Sequence, residues 1–387
     1  MREWKEYRFN AFVAINPVVK FLKGDNIPFV EMKDLTDGKK YCIPNVERTL
    51  SGGSRFQNED TLFARITPCL ENGKICKVKG LKNGYGLGST EFLVFRGIDE
   101  ISDTDFVFYL SRWDEVRAFA EKNLDGTSGR QRVPKSCFNE LLLVLPDIDE
   151  QRAIASILTS LDDKIDLLHR QNATLEKMAE TLFRQWFVEE AEEHWEVATV
   201  GQFVNTNERT LTKDYQFNEI RYLDTSSLNE GFITSIQNLN VSEAPSRAKR
   251  LVSHNDVLIS TVRPDQRHFG ILKNPEKNLV VSTGFCVITC TKIDPHFIYL
   301  LLTNDEMTDY LHLIAEGSTS TYPSLKPSDI EKIEFQLPPI ERLDEFQKIA
   351  SNSWDKINHN QTQIRTLTAL RDTLLPMLMS GEVRVKE

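Results

Sequence analysis

Ile154, Leu158, Leu161, Ile165, Leu168, Asn172, Leu175, Ala179, Leu182 and Trp186 step by four and three along one stretch of the chain. Adding 192 to each number gives Phe346, Ala350, Ser353, Ile357, Asn360, Ile364, Leu367, Arg371, Leu374 and Leu378, the same steps in a second stretch. A 3.5-residue apolar period predicts a helix whose seam lies against another helix. At 1.5 Å per residue, 154–186 spans about 48 Å. A lone helix of that length would leave its stripe wet, so each copy is expected to pair antiparallel with the other within the chain. A homodimeric coiled coil is the alternative. Asn172, Ser353, Asn360 and Arg371 interrupt the seam and are expected to fix its register. Leu375-Pro376 and Gly381 are expected to kink or stop the second helix.

The repeat extends beyond the helices. Residues 29–35 (Phe29 to Leu35) parallel 222–228, and 60–68 parallel 256–264, each a short strand ended by proline. Ser89-Thr90-Glu91-Phe92 returns as Ser282-Thr283-Gly284-Phe285. One short helix is expected to follow in each copy, from Phe106 to Phe119 and from His296 to Leu313. Trp4, Phe12 and Asn16 recur as Trp195, Phe203 and Asn207. A globular unit closed by a long helix, used twice, is the signature of an internal repeat. The expected fold is α/β: two mixed α+β domains, two long antiparallel helices and an internal pseudo-two-fold. The expected segments are a first domain at 1–146, a first spacer helix at 147–190, a second domain at 191–338, a second spacer helix at 339–380 and a tail at 381–387.

Composition narrows the function. The chain of 387 residues carries a net charge of −10. Residues 1–146 hold 22 Lys and Arg against 20 Asp and Glu, whereas 147–196 hold 5 against 13. Residues 197–338 hold 13 against 17, and 339–387 hold 7 of each. Much of the acidity therefore sits on the first helix and its exit, and the domains stay near neutral, which permits local basic clusters. No apolar run is long enough to span a bilayer. The charged start Arg2-Glu3-Trp4-Lys5-Glu6 does not resemble a signal peptide. The six cysteines show no close metal pairs, and a reduced, cytoplasmic protein is expected.

Catalytic patterns are missing. There is no phosphate-cradling Gly-x4-Gly-Lys-Ser/Thr loop and no Asp/Asn-Pro-Pro-Tyr/Phe segment of the kind that holds a flipped base. Asp162-Asp163-Lys164 falls on the heptad helix and is expected on a solvated face. Gly84 to Gly88 is expected to form a hairpin turn, and Cys286 and Cys290 to be core. No cofactor and no metal are expected on this chain.

Two arginine-bearing loops in the first domain suit nucleic acid, which needs cations for phosphates and forked or amide groups for base edges. They supply Arg48 and Arg55, then Arg130, Gln131, Arg132 and Lys135; Arg65 lies on the strand between them. The corresponding places in the second domain supply Arg247, Lys249 and Arg250, then Arg263 and Arg267. A single arginine is more often a solvated charge or a local ion pair; the grouping carries the DNA reading. The loop 317–326 has lost the arginines of 126–135, so the two halves should read different sequences.

Residues 61–74 (Thr61 to Lys74), Gly126-Thr127-Ser128-Gly129-Arg130-Gln131-Arg132-Val133-Pro134 and Leu370-Arg371-Asp372-Thr373-Leu374-Leu375-Pro376 resemble the specificity subunit of type I restriction-modification systems. So do Leu145-Pro146-x-Ile148-x-Glu150-Gln151 and Leu182-Phe183-Arg184-Gln185-Trp186-Phe187. The resemblance covers essentially the whole chain. It implies two target recognition domains, each reading half of a bipartite, asymmetric double-stranded DNA site, and a helical spacer that docks methyltransferase subunits, with restriction subunits outside. The expected spacer and docking positions are Ile154, Leu158, Leu161, Ile165, Leu175, Leu182, Trp186, Phe346, Ile357, Ile364, Leu367, Leu374 and Leu378. It implies no catalysis by this chain; S-adenosylmethionine, ATP and Mg2+ would be bound by the partners. A self-contained DNA-modifying enzyme and a coiled-coil scaffold without a DNA role are the alternatives. Two departures stand out: Pro339-Ile340-Glu341-Arg342-Leu343 lacks the first helix's Glu-Gln-Arg, and the second domain is acidic.

Overall fold

The structure, a computed structural model, describes residues 3–20, 26–49, 52–127, 129–212, 214–318 and 323–385. The chain forms two compact units, Met1–His169 with Gln361–Glu387, and Arg170–Asn360. Both long helices, Ile148–Arg184 and Ile340–Met379, contribute residues to both units.

In the first unit Val13–Ile15, Phe92–Gly97, Thr61–Ala64, Ile75–Val78 and Tyr41–Cys42 form a five-stranded sheet, in that order. Val46–Thr49, Asn26–Val30, Tyr85–Gly88 and Ser54–Gln57 form a four-stranded sheet. Lys5–Arg8 pairs with Leu142–Leu145. The second unit repeats this plan: Val204–Thr206, Phe285–Cys290, Val257–Ser260 and Phe269–Ile271, then Gln237–Asn240, Glu219–Leu223, Leu279–Ser282 and Ala248–Leu251. Val197–Thr199 pairs with Glu334–Gln336. In both four-stranded sheets the central pair is parallel and the outer pairs are antiparallel.

Two local expectations fail. Tyr85–Gly88 is an inner strand rather than a turn. Its glycines are needed for packing, because a Cβ on Gly86 or Gly88 would come within 2.8 Å of the Phe56 ring. The single short helix is a pair in each unit: Thr104–Arg112 with Asp114–Lys122, and Pro295–Thr303 with Asp305–Glu316. Trp113 and Asn304 adopt extended backbone at the breaks, and the Asn304 side chain accepts from the Met307 N–H to start the next helix.

The long helices pack antiparallel in each unit. In the first, Ile154, Ala155 and Leu158 share a core with Leu378 and Met379, and Ile165 and Leu168 pack with Ile364 and Leu367. In the second, Asn360 donates to Asn172 at 2.8 Å, and the ring of Phe346 meets Phe183, Trp186 and Phe187. The second helix runs through Pro376 to Met379 without the expected stop. Leu378 and Met379 are buried in the first unit's core, which holds the last turn in place. Gly381, at φ 75°, then ends it, packed so closely on Trp4 that a Cβ would lie 3.2 Å from the ring.

The seam departs from the expected positions by one residue at four positions. Asp162 is buried where Leu161 is only partly so, Phe183 and Phe187 are buried beyond Leu182 and Trp186, and Trp354 takes the place of Ser353. Asp162 was expected on a solvated face; it is 4% exposed and accepts from Arg371 Nη1 at 2.7 Å and from the Tyr109 hydroxyl at 2.7 Å. Arg371, itself 3% exposed, also donates to the Gly38 carbonyl at 2.8 Å. Each helix therefore faces its partner helix and a globular domain at once, and the buried arc is wider than a two-in-seven stripe. Around this point Lys77 pairs with Asp105 and Glu59 at 2.6 and 2.8 Å, and Lys40 bonds Thr159 at 2.8 Å. A charged junction thus ties the first helix to its domain.

The motif that opens the first helix has a direct role. Asp147 caps it by accepting from the Glu150 N–H at 3.1 Å. Buried Gln151 donates to the carbonyls of Ile101 and Pro146 and accepts from the Asp103 N–H.

Candidate nucleic-acid interface

The loop after the inner strand of the first four-stranded sheet gathers the predicted residues. Ser54 donates to the Phe92 carbonyl at 2.7 Å, and the Arg65 N–H donates to the Glu91 carbonyl at 2.9 Å. The Arg132 guanidinium grips both Glu91 carboxylate oxygens at 2.8–2.9 Å. The Thr67 N–H donates to the Gln131 carbonyl at 3.0 Å, the Gln131 N–H donates to the Thr67 hydroxyl at 3.1 Å, and the Val133 N–H reaches the Arg65 carbonyl. Residues 54–55, 65–67, 89–92 and 130–133 thus meet in one corner. Arg55, Arg130, Arg132 and Lys135 are exposed there or beside it, while Arg65 and Gln131 are half-buried.

Register shows where Arg48 and Arg55 point. Arg48 stands opposite Ile27, Phe29 opposite Leu87, and Leu87 opposite Arg55. All five share the sheet face away from Phe56 and the main core. Arg48 lies 3.9 Å from the Phe29 ring centre and pairs with Glu31. This presents a planar, stacked guanidinium on that face.

The second domain builds the same corner with other chemistry. The Thr283 N–H donates to the Arg247 carbonyl at 2.8 Å, the Thr261 N–H to the Gly284 carbonyl at 2.8 Å, and the Leu325 N–H to the Thr261 carbonyl at 2.7 Å. The Arg263 N–H reaches the Pro323 carbonyl at 3.1 Å. Gly284 stands where Glu91 does. Ser324, bridged to Val262, stands where Arg132 is bridged to Ile66. The Arg132–Glu91 clamp therefore has no second-half equivalent. Arg247 and Arg263 do reach the corner, and both are exposed, as is Lys249; Arg250 is half-buried. Arg263 and Arg267 flank the turn Pro264–Gln266 with φ of 49° and 55°. A left-handed arginine is uncommon, and such strain gathers at functional turns. Arg267 is tied to Asp305 at 2.6 Å, and Arg247 to Asp224 at 3.0 Å.

The sheet faces differ more sharply. Leu239 stands opposite Ile220, and Leu251 opposite Val280, at the places of Arg48 and Arg55. Leu211, Tyr215, Val241 and Ala244 pack on that face. Sequence alignment of the arginine loops did not anticipate this, because the loops differ in length and only strand register aligns them. The carboxylates Glu31, Glu91, Asp224 and Asp305, which orient four of the arginines, were also not foreseen. Ser128 and residues 319–322 of the two glycine-led loops lie outside the described residues. Among the described residues no helix is long and apolar enough to cross a membrane.

The family model described as "Type I restriction modification DNA specificity domain" matches residues 1–177 and again 192–367. The chain belongs to the type I restriction-modification specificity family. The "Type I restriction enzyme HindI specificity subunit" of Haemophilus influenzae is 25% identical, covering 99% of this chain and 100% of that one. The "Type I restriction enzyme MjaIX specificity subunit" of Methanocaldococcus jannaschii is 26% identical over 95% of this chain and 89% of that one. Among solved structures, the type I restriction-modification S subunit from M. genitalium superposes with a TM-score of 0.56 at 16% identity, covering 97% and 96%. That likeness is one of fold. In this specificity-family chain both family repeats contain one recognition domain and most of one long helix, the doubled plan seen in the sheets.

Proposed function

We propose that this chain is the DNA-reading, non-catalytic subunit of a type I restriction-modification complex. Each domain reads one half of a bipartite, asymmetric site, and the paired helices set the gap and dock the methyltransferase subunits, with restriction subunits joining outside. Membership of the specificity family supports the class. The observation that carries the bipartite reading is the corner built twice on one backbone plan with different side chains, Arg132–Glu91 in one and Ser324 and Gly284 in the other. Two such corners suit two different half-sites.

Arg48, Arg55, Arg65, Arg130, Gln131, Arg132 and Lys135 would serve the first half-site, and Arg247, Lys249, Arg250, Arg263 and Arg267 the second. Arginines held by a carboxylate keep a forked donor in a set orientation, which suits a base edge, whereas exposed Arg130 and Lys249 suit phosphates. S-adenosylmethionine, ATP and Mg2+ belong to the partner subunits in this reading.

Incubating the purified chain with S-adenosylmethionine and DNA tests it. No methyl transfer is expected until the methyltransferase subunit is added, whereupon a split site is bound and methylated. Methyl transfer by the chain alone would overturn the proposal.

A further inference from the structure

The two corners share one feature that reaches them from different strands. In the first unit Thr61–Ala64 runs into Arg65, and Ser54 begins the edge strand Ser54–Gln57. In the second unit the same two places hold Thr261, after Val257–Ser260, and Arg250, within Ala248–Leu251. Backbone bonds fix the equivalence. The Arg65 and Thr261 N–H groups donate to the Glu91 and Gly284 carbonyls, and Ser54 and Arg250 stand opposite Gly88 and Val281. Both positions flank one phenylalanine. Ser54 Oγ donates to the Phe92 carbonyl at 2.7 Å, and Ala64, just before Arg65, stands opposite Phe92. Ser260, just before Thr261, stands opposite Phe285. The Arg250 charge acts on the buried Cys286 thiol beside Phe285, against the rise that burial causes. A guanidinium beside a small hydroxyl has exchanged places with it between the halves.

The two guanidiniums are alike in state as well as in place. Each side chain is half-buried, and the Nε of each is enclosed without a hydrogen-bond partner. Among the described residues neither has an ion pair. Arg48, Arg132, Arg247 and Arg267, by contrast, each hold a carboxylate. A half-buried cation without a counter-charge is costly, and an enclosed donor without an acceptor adds to that cost. Such a group kept in both halves by an exchange of positions points to a ligand rather than to packing.

The remaining side chains of the corner differ between the halves, so the shared group meets something that does not vary between half-sites. A backbone phosphate does not vary, carries the negative charge that neutralises the cation, and accepts a guanidinium fork. A base edge is uncharged and changes with sequence. We propose, resting on the DNA-reading role above, that Arg65 and Arg250 are matched phosphate anchors, one for each half-site. They set affinity and position on the duplex and leave base choice to the residues around them.

The test titrates the chain, in complex with its methyltransferase, against a duplex carrying the split site and against a scrambled duplex. Fluorescence anisotropy reads affinity from about 50 to about 200 mM salt. Each phosphate contact adds about 0.9 to the slope of log affinity against log salt. Over this range the parent should therefore lose about 3.5-fold more affinity than Arg65→Ala or Arg250→Ala does. Each variant should weaken on both duplexes by the same factor, leaving the ratio between them unchanged. Arg65→Lys should keep the parent's slope, because an ammonium also neutralises a phosphate, whereas a packing role would gain nothing from it. Ser54→Arg with Arg65→Thr moves the guanidinium to the second unit's position and should bind as the parent does. Should that variant fail to fold, the lysine variant decides. An alanine variant with the parent's slope, a lysine variant with the alanine slope, or a fall in the ratio would overturn the assignment and leave the DNA reading standing. A parent complex that binds both duplexes equally would overturn the DNA reading and the assignment with it.

Discussion

Replacing Arg371 with methionine tests the charged junction of the first unit. Arg371 and Asp162 are 3% and 4% exposed, so neither charge is relieved by water. Truncation removes the 2.7 Å bond to Asp162 and the 2.8 Å bond to the Gly38 carbonyl, leaving Asp162 with the Tyr109 hydroxyl. Breaking one side of a buried pair typically costs about 3–5 kcal/mol, because the remaining charge stays desolvated. Replacing both partners, Asp162→Leu with Arg371→Met, removes the stranded charge and should recover much of that loss. Urea unfolding followed by hydrogen exchange in residues 148–169 and 361–379 reads the effect in the unit concerned. A loss below about 1 kcal/mol for Arg371→Met, or a double variant as unstable as the single, would refute the reasoning.

Glu176 offers a pH test in the second unit. Burial, with the charges of Glu180 and Glu230 nearby, raises its carboxyl from 4.5 to about 7. The unfolded chain ionises first, so this residue's contribution is complete below about pH 4.5 and is lost as pH climbs to about 7. Glu176→Gln should raise stability at pH 8 by roughly 2–3 kcal/mol and flatten the slope between those values; equal slopes for both proteins would count against it. Asn172→Leu with Asn360→Leu removes a buried amide pair whose Asn360 Oδ1 accepts no bond among the described residues. Chemical denaturation should show a gain of about 1–2 kcal/mol, and a loss of that size would mean the pair stabilises more than an apolar contact. Arg130→Ala with Arg132→Ala should relax base preference by about 1–3 kcal/mol in one half-site alone, read by binding to randomised DNA in the presence of the methyltransferase.

Much of the architecture is legible in the sequence, and the residues that escape it have physical reasons. The steps from Ile154 to Trp186 give the helix and its antiparallel partner, yet place Leu161, Leu182, Trp186 and Ser353 in the seam ahead of Asp162, Phe183, Phe187 and Trp354. A period assigns one face, whereas these helices bury against two neighbours. Asp162 is the sharpest case: an acidic residue in a heptad reads as solvated until Arg371, 209 residues away, is brought to it. Trp113 and Asn304 lie within stretches that read as continuous helix, and their extended backbone emerges from packing. At the candidate interface, the arginine loops were visible as composition. Which of them a carboxylate holds, and that Leu239 and Leu251 replace Arg48 and Arg55 on the sheet face, depended on strand register.

The most direct test of the account is to map methylated sites in DNA from cells carrying the whole system, first with this chain and then with its Arg55→Ala/Arg130→Ala/Arg132→Ala variant. The account predicts a motif in two parts separated by a fixed gap, with the variant relaxing one part and leaving the other part and the gap unchanged. A single contiguous motif, or equal relaxation of both parts, would contradict it.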